Sequence, residues 1–374
     1  MSVSIIVPIY KGNKYIPKLV DTIQKWSDLS NGIQLEIIFI NDFPQEPIIL
    51  SHRDNQYKVS IQVLNNQRNM GIHYSRVVGA QYAAGEYLVF LDQDDTLNKF
   101  YLISQLQDLK DGEAVICNGL YRHGEKIFSI SNPMKREYSF QVYLENGYPL
   151  VSLGQLLIRK NSLPQEWFAN IMIHNGWDDH FLWALLMRHG VKINSNEDTL
   201  YVHEEDGNNA SFNWKNMSLS GREFRDIFLK LNLMDITQEK QFRYIIDSKI
   251  SKYDDYAELE TLLNKISSIE LKEYFNTRAI SNISIYGFGV YGKLFYNSIG
   301  DSGLKVKYCI DRRSDNKNAA IPVILLHDNM PKVDAIIVSP VSSFNEIEKE
   351  IRKYCSFKVL SLLNILREID NPTI

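Results

Sequence analysis

Near the start of the chain, apolar residues fall in short unbroken runs separated by stretches with helical spacing. Residues 3–9 are rich in β-branched side chains and stop at Tyr10-Lys11-Gly12-Asn13, after which Ile16, Leu19, Val20 and Ile23 recur at three- and four-residue steps. A second run covers 35–40 and stops at Asn41-Asp42-Phe43-Pro44, and a third covers 59–64. Residues 75–84 have helical spacing up to Gly85, and the run 87–91 ends at Asp92-Gln93-Asp94-Asp95. Fully apolar strands alternating with amphipathic helices predict an α/β fold with a mostly parallel central sheet covered on both faces. In such sheets ligands sit at the C-terminal ends of the strands. The polar clusters 10–13, 41–42 and 92–95 are therefore expected to converge.

From about Trp214 the pattern becomes helical. Ile246, Ile250, Tyr253, Leu259, Leu262, Leu263 and Ile266 sit among charges, and glycine is absent from 222 through 281. This reads as a helical connector, with scaffolding as its ordinary role. A second, smaller α/β unit starts near Asn282. The run 283–286 leads into Gly287-Phe288-Gly289-Val290-Tyr291-Gly292, followed by a helical stretch to Ser298 and strands over 306–310, 335–339 and 358–360. The expected division is 1–215, a helical connector 216–280, and a small Rossmann-like domain 281–374.

The 374 residues exceed what one domain of ordinary size holds. A net charge of −4 argues against a dedicated nucleic-acid binder, which carries a basic excess. Three scattered cysteines without a CxxC pair argue against a thiolate metal site or a disulfide scaffold, and for a reducing compartment. The N-terminus reads as a strand rather than a signal peptide, and no apolar window is long enough to span a membrane. A cytoplasmic protein is expected, with a peripheral contact at the inner face of the membrane left open.

Three clusters carry candidate chemistry. Asp92, Asp94 and Asp95 follow an apolar strand; they suit a hard cation such as Mg²⁺ or Mn²⁺ and equally an acidic helix cap. Asp178 and Asp179 open an apolar helix, where they can cap it or take a proton from an attacking hydroxyl. His203, in Tyr201-Val202-His203-Glu204-Glu205-Asp206, can complete a metal shell or be structural.

In order and spacing, Val7-Pro8-Ile9-Tyr10, Ile40-Asn41-Asp42, Asn69-Met70-Gly71 with Arg76, the run from Gly85 to Asp95, and Trp177-Asp178-Asp179 resemble the family 2 glycosyltransferases, inverting enzymes of the GT-A fold that use nucleotide sugars. The resemblance covers about residues 1–215. It implies that Pro8 and Tyr10 border the nucleotide base, that Asp42 contacts it, and that Arg76 lies near base and phosphates. By the same resemblance Asp92 lies near the ribose, Asp94 ligates the metal, Asp179 is the general base with Asp178 as second choice, and His203 completes the metal site. Three positions depart from the pattern. Asn41 stands where a second carboxylate is frequent, Val77 follows Arg76 where asparagine is frequent, and Asp178 stands where glutamate is common.

The resemblance implies a metal-assisted single displacement from a nucleotide sugar, with UDP-sugars favoured, by a hexosyl- or N-acetylhexosaminyltransferase. The acceptor would be a glycan or lipid-linked hydroxyl in surface-polysaccharide assembly of capsule, O-antigen or teichoic type. Gly154 and Trp177 are candidate acceptor contacts; Trp177 can also be core beside Phe181. In the second unit Gly287, Gly289, Gly292 and Asp311 fit a dinucleotide fingerprint, with Arg312 and Arg313 as phosphate contacts. No acid/base pair accompanies them. An architectural or interaction module is the first expectation there, ahead of regulatory nucleotide binding, and NAD(P) is not expected as a cofactor. A homo-oligomer contact through the helical or C-terminal region is open. The rival readings are a nicotinamide oxidoreductase and a non-catalytic scaffold.

Overall fold

The computed structural model describes residues 1–372 apart from 31, 51–58, 131, 136, 205–212, 301, 312–320 and 328. Two compact units are present, Met1–Ser248 and Lys249–Ile374.

The first unit is built on eight strands: β1 (Ser2–Ile9), β2 (Gln34–Asn41), β3 (Ser60–Asn65), β4 (Tyr87–Phe90), β5 (Thr96–Leu97), β6 (Ala114–Tyr121), β7 (Leu156–Arg159) and β8 (Ile193–His203). Their order is β3-β2-β1-β4-β7-β6-β8-β5. The half formed by β3, β2, β1 and β4 is parallel. Its central strands are apolar on both faces, with Ile5, Ile6, Ile37, Ile38, Val89 and Phe90 all fully buried, which is why their sequences run without alternation.

Beyond β4 the sheet is mixed. β7 is antiparallel to both β4 and β6, β6 is parallel to β8, and β5 is antiparallel to β8. The expectation of a mostly parallel sheet holds, with four of the seven strand pairs parallel and the three antiparallel ones confined to this half. Apolar runs identify buried strands, but strand direction follows from the long excursion between β6 and β7, which carries no such signal.

Helices α1 (Ile16–Leu29), α2 (Ile72–Tyr82), α3 (Tyr101–Leu109), α4 (Phe140–Asn146), α5 (Gln165–Ala169), α6 (Asp178–Arg188) and α7 (Trp214–Lys230) accompany this sheet. α2 packs so closely on the sheet that a Cβ at Gly79 would stand 2.3 Å from Ile6. The glycine thus brings Arg76, one turn earlier, to the sheet's C-terminal edge. The region after α7 is helical as expected, with α8 (Ile236–Lys265) and α9 (Ser268–Thr277). The division between the two units falls inside α8.

The second unit contains β9 (Asn282–Tyr286), α10 (Val290–Ile299), β10 (Lys305–Ile310), β11 (Val323–Ile324), β12 (Ala335–Val338), α11 (Phe344–Ile351), β13 (Lys358–Ser361) and α12 (Leu362–Asp370). All its strand pairs are parallel, in the order β11-β10-β9-β12-β13. Alternate residues serve opposite faces. Ile283, Ile285 and Ile337 pack with Phe295 and Leu362, whereas Ile336 and Val338 pack with Ile347 and Ile351.

Candidate active site

The three polar strand ends do converge. Pro8 near the end of β1, Tyr10 just after it, Asp42 after β2 and Asp92 and Asp94 after β4 line one cavity of about 530 Å³, together with Arg76 of α2, Asp178 and Asp179 of α6, and His203 of β8.

Asp42 is buried, and its carboxylate is engaged by the neighbouring loop. Oδ1 accepts from the Asn66 side chain and the Met70 amide, both at 2.7 Å, and Oδ2 accepts from the Gly71 amide at 2.9 Å. It therefore shapes the entry to α2. The α2 N-terminus is completed from elsewhere: Asn175 Oδ1 accepts the Ile72 amide at 3.0 Å, so a residue of the 173–177 loop caps the helix that carries Arg76.

Arg76 is 3% exposed. Its Nη1 lies 2.5 Å from Asp178 and its Nη2 2.5 Å from Asp92. Burial opposes its charge, but Asp178 and then Asp92 more than offset that and hold the guanidinium firmly protonated. The two carboxylates of Asp178 and Asp179 are thereby made unequal. Asp178 is buried against Arg76, whereas Asp179 is half-buried. Burial, and then the charge of Asp178, push Asp179 up to about 7, although Arg76, the His180 amide and Tyr148 draw it back. A carboxylate poised there suits proton abstraction near neutrality.

The three aspartates after β4 are also unequal. Asp92 is held by Arg76 and by Ser152 Oγ at 3.0 Å. Asp95 is 3% exposed and accepts from Tyr201 Oη at 2.5 Å and from the Glu204 amide at 3.2 Å. Burial and the nearby Asp92 raise its pKa, while hydrogen bonds from His203 and Tyr201 work against them. The expected three-carboxylate cluster is therefore not one cage, because distant side chains claim two of its members. His203 Nδ1 stands 3.1 Å from Tyr201 Oη and 3.3 Å from Asp95. Since the Tyr201 hydroxyl donates to Asp95, this geometry assigns the proton to Nδ1 of His203.

Among the described residues no group of three or more His, Cys, Asp or Glu side chains forms a closed metal site. The donor set fits a Mg²⁺- or Mn²⁺-type ion differently. Such ions are held by one or two protein ligands, with substrate phosphates and water completing the shell, and Asp94 and His203 face the same cavity.

Two expected acceptor contacts are corrected. Trp177 has no exposed face: its ring is fully buried, 4.5 Å from His180 and 5.8 Å from Phe224. Gly154 is buried too, and a Cβ there would meet the Tyr201 ring at 2.9 Å. Both positions are packing solutions.

The 173–177 loop that delivers Asp178 and Asp179 is held by residues the sequence reading passed over. Glu223 accepts the amides of Ile173 at 2.8 Å and His174 at 2.9 Å. Ser220 Oγ accepts the Trp177 amide and donates to the His174 carbonyl. Asn216 donates to the Asn175 carbonyl at 2.6 Å. These three lie at i, i+4 and i+7 of α7, one helix face. On the other side, buried His73 of α2 accepts the Met172 amide at Nδ1, 2.9 Å away. Burial lowers the His73 pKa to about 4, which keeps the ring neutral and able to accept. The signal was present as buried polar residues on the apolar face of α7, Ser218 and Ser220 among them.

In the second unit Gly287 has φ +83°, and a Cβ at Gly292 would lie 2.1 Å from the Gly287 carbonyl oxygen. The Asp311 carboxylate accepts the Phe288 amide at 2.7 Å, so it braces the glycine loop itself. Arg312 and Arg313, like Glu205 and Asp206, lie outside the described residues.

Residues 4–167 match the family model described as Glycosyl transferase family 2. Among individual proteins it is similar to an uncharacterized glycosyltransferase of Haemophilus influenzae, 33% identical over 92 residues that make up 25% of this chain and 29% of the relative. It is also similar to the poly(ribitol-phosphate) β-N-acetylglucosaminyltransferase TarS of Staphylococcus aureus, 29% identical over 117 residues, 31% of this chain and 19% of that one. A longer alignment of 313 residues at 23% identity joins it to the minor teichoic acid biosynthesis protein GgaB of Bacillus subtilis, covering 76% of this chain and 34% of the relative. The matches to the first two span less than a third of those relatives' length. The crystal structure of S. aureus TarS residues 1–349 in complex with UDP-GlcNAc superposes with a TM-score of 0.50 at 17% identity, covering 74% of this chain and 79% of that one. At that identity the likeness concerns the fold.

Proposed function

We propose that the first unit is an inverting glycosyltransferase that moves a sugar from a nucleotide sugar to an acceptor hydroxyl, with Asp179 as the general base. The observation that carries the proposal is the inequality of the two neighbouring aspartates. Asp178 is neutralised by Arg76, and Asp179 lies on the cavity with its pKa raised to about 7. Asp179 takes the proton of the acceptor hydroxyl as its oxygen bonds to the anomeric carbon. The bond from that carbon to the diphosphate breaks on the opposite face, so the configuration inverts. Pro8 and Tyr10 border the base, Asp42 orders the loop beside it, and Asp92, oriented by Arg76 and Ser152, lies toward the ribose. Asp94 and His203 would hold a divalent cation, which when bound supplies positive charge for the departing diphosphate.

The family assignment supports sugar transfer, and TarS, crystallised with UDP-GlcNAc, supports a UDP-sugar donor. The names of TarS and GgaB favour an anionic cell-surface polymer of the teichoic class as acceptor. A cytoplasmic site of action belongs to the same proposal; among the described residues no helix is long and apolar enough to cross a membrane. We assign the second unit an architectural or interaction role, because Asp311 is spent on its own glycine loop.

The test is calorimetry with UDP-GlcNAc and related donors, with and without Mn²⁺, followed by turnover of Asp179→Asn on a polyol-phosphate acceptor. Donor binding retained with turnover reduced about 10³-fold or more is expected. Equal turnover of variant and parent removes Asp179 from the role of base.

A further inference from the structure

We infer that Gln93, the middle residue of Asp92-Gln93-Asp94, is a positioning residue that sets the nucleoside end of the cavity by clamping the backbone of Tyr10. The inference rests on the nucleotide-sugar reading above. Gln93 Oε1 accepts the Tyr10 amide at 2.9 Å, and Gln93 Nε2 donates to the Tyr10 carbonyl at 3.2 Å. Two antiparallel hydrogen bonds from one planar carboxamide fix the peptide in both position and direction, as a paired strand would. Tyr10 needs such a partner, because the pairing of β1 with β2 ends at Ile9.

The neighbouring glycine is shaped to the clamp. Gly12 has φ −112°, a conformation open to any residue, so its backbone does not call for glycine. Its space does: a Cβ at position 12 would stand 2.1 Å from Gln93 Oε1 and 2.7 Å from Cδ. The turn after β1 and the turn after β4 are therefore locked by a side chain that fits only over a bare Cα.

The consequence is a fixed spacing within the cavity. Tyr10 is 43% exposed, with its ring centroid 5.4 Å from that of Phe43, and it offers an aromatic surface to the cavity. Asp92 and Asp94, on either side of Gln93, line the same cavity. A slip of Tyr10 relative to Gln93 would change the distance between the surface that meets the base and the carboxylates that meet ribose and diphosphate. The clamp thus favours donors with one separation of base and sugar, the chemistry of a nucleoside diphosphate.

The experiment uses the full chain and UDP as the probe. In Gln93→Ala the Tyr10 amide should lose its protection from hydrogen exchange without any ligand, and the Kd for UDP should rise about tenfold. Gly12→Ala should raise it similarly by expelling the carboxamide, yet add little in a Gln93→Ala background, because both changes remove the same contact. Donor KM should rise by a larger factor than kcat falls. An unchanged Tyr10 amide in Gln93→Ala overturns the clamp. A lost amide protection with unaltered UDP affinity, or a Gly12→Ala effect of equal size in both backgrounds, overturns its role at the nucleoside. A parent protein that binds no nucleotide overturns the functional reading and this role with it, whereas the exchange result still reports on the clamp alone.

Discussion

Arg76 of α2 meets Asp178 at the start of α6 with Nη1 to Oδ2 at 2.5 Å, and both side chains are almost completely removed from solvent. The second nitrogen of the same guanidinium holds Asp92. One cation therefore ties the carboxylate beside the expected base to the one beside the expected ribose. Arg76→Met should leave the buried Asp178 and the half-buried Asp92 carboxylates uncompensated. Breaking a buried pair in this way costs about 3–5 kcal/mol, read as a lower midpoint in urea unfolding. Arg76→Lys should restore charge but not the fork, so activity should stay at least about tenfold below the parent even where stability recovers.

The raised pKa of Asp179 gives the pH dependence a definite sign. The base must be ionised, so kcat/KM should climb with pH through about 7 and then level off. Asp178→Asn removes the like charge and leaves Arg76 nearby, so the climb should move to lower pH. A profile that stays in place in Asp178→Asn would remove Asp178 as the group that raises Asp179.

Stability should run in the opposite direction. Asp179 binds its proton more tightly in the folded state than in the unfolded chain, where it titrates near the ordinary 3.8. Between about 4 and 7 the folded state therefore holds more protons, and stability from this group is lost as pH rises. Asp179→Asn should be inactive yet more stable than the parent at pH 8 by about 1–2 kcal/mol. Denaturant titrations at pH 5 and pH 8 measure the difference, which should shrink at the lower pH.

Adjacent aspartates should behave unlike one another. Asp95→Ala removes the carboxylate that accepts from the buried Tyr201 hydroxyl and from the Glu204 amide, so it should destabilise the unit by about 2–3 kcal/mol. Asp94→Ala should lower the midpoint less than Asp95→Ala does but lose any Mn²⁺-dependent gain in UDP binding. If the two variants exchanged phenotypes, the division of roles in this motif would be wrong.

Glu223→Ala leaves the amides of Ile173 and His174 without their acceptor. Faster hydrogen exchange across 173–177 and a fall in kcat of about tenfold or more are expected, with UDP affinity unchanged. Slower turnover with no change in exchange would assign Glu223 another role.

The parallel half of the first sheet was legible because its strands are apolar on both faces and stop at polar turns, as at Asn41-Asp42. The mixed half was not. β6 carries Asn118 and Gly119 where its register with β8 shifts, which breaks the period a strand would show. The residues of the site were legible as types and positions, yet their separate duties were not. Asp92 and Asp95 look alike in sequence, and only Arg76, Ser152 and Tyr201, brought in by the fold, tell them apart. Trp177 read both as core and as a sugar platform, because sequence does not show that Phe224 of α7 covers it. The same helix, set beyond the expected boundary at 215, supplies the supports of the 173–177 loop.

Asn216, Ser220 and Glu223 hold that loop mainly through its main chain, which every amino acid carries. The side chain of Ile173 is 78% exposed and takes no part in this bracing. Position 173 can therefore change its chemistry while Asp179 stays where it is. A rigid frame that places no demand on this side chain lets related enzymes diverge at the loop, and gives an engineer a place to alter what the loop greets without rebuilding what it holds.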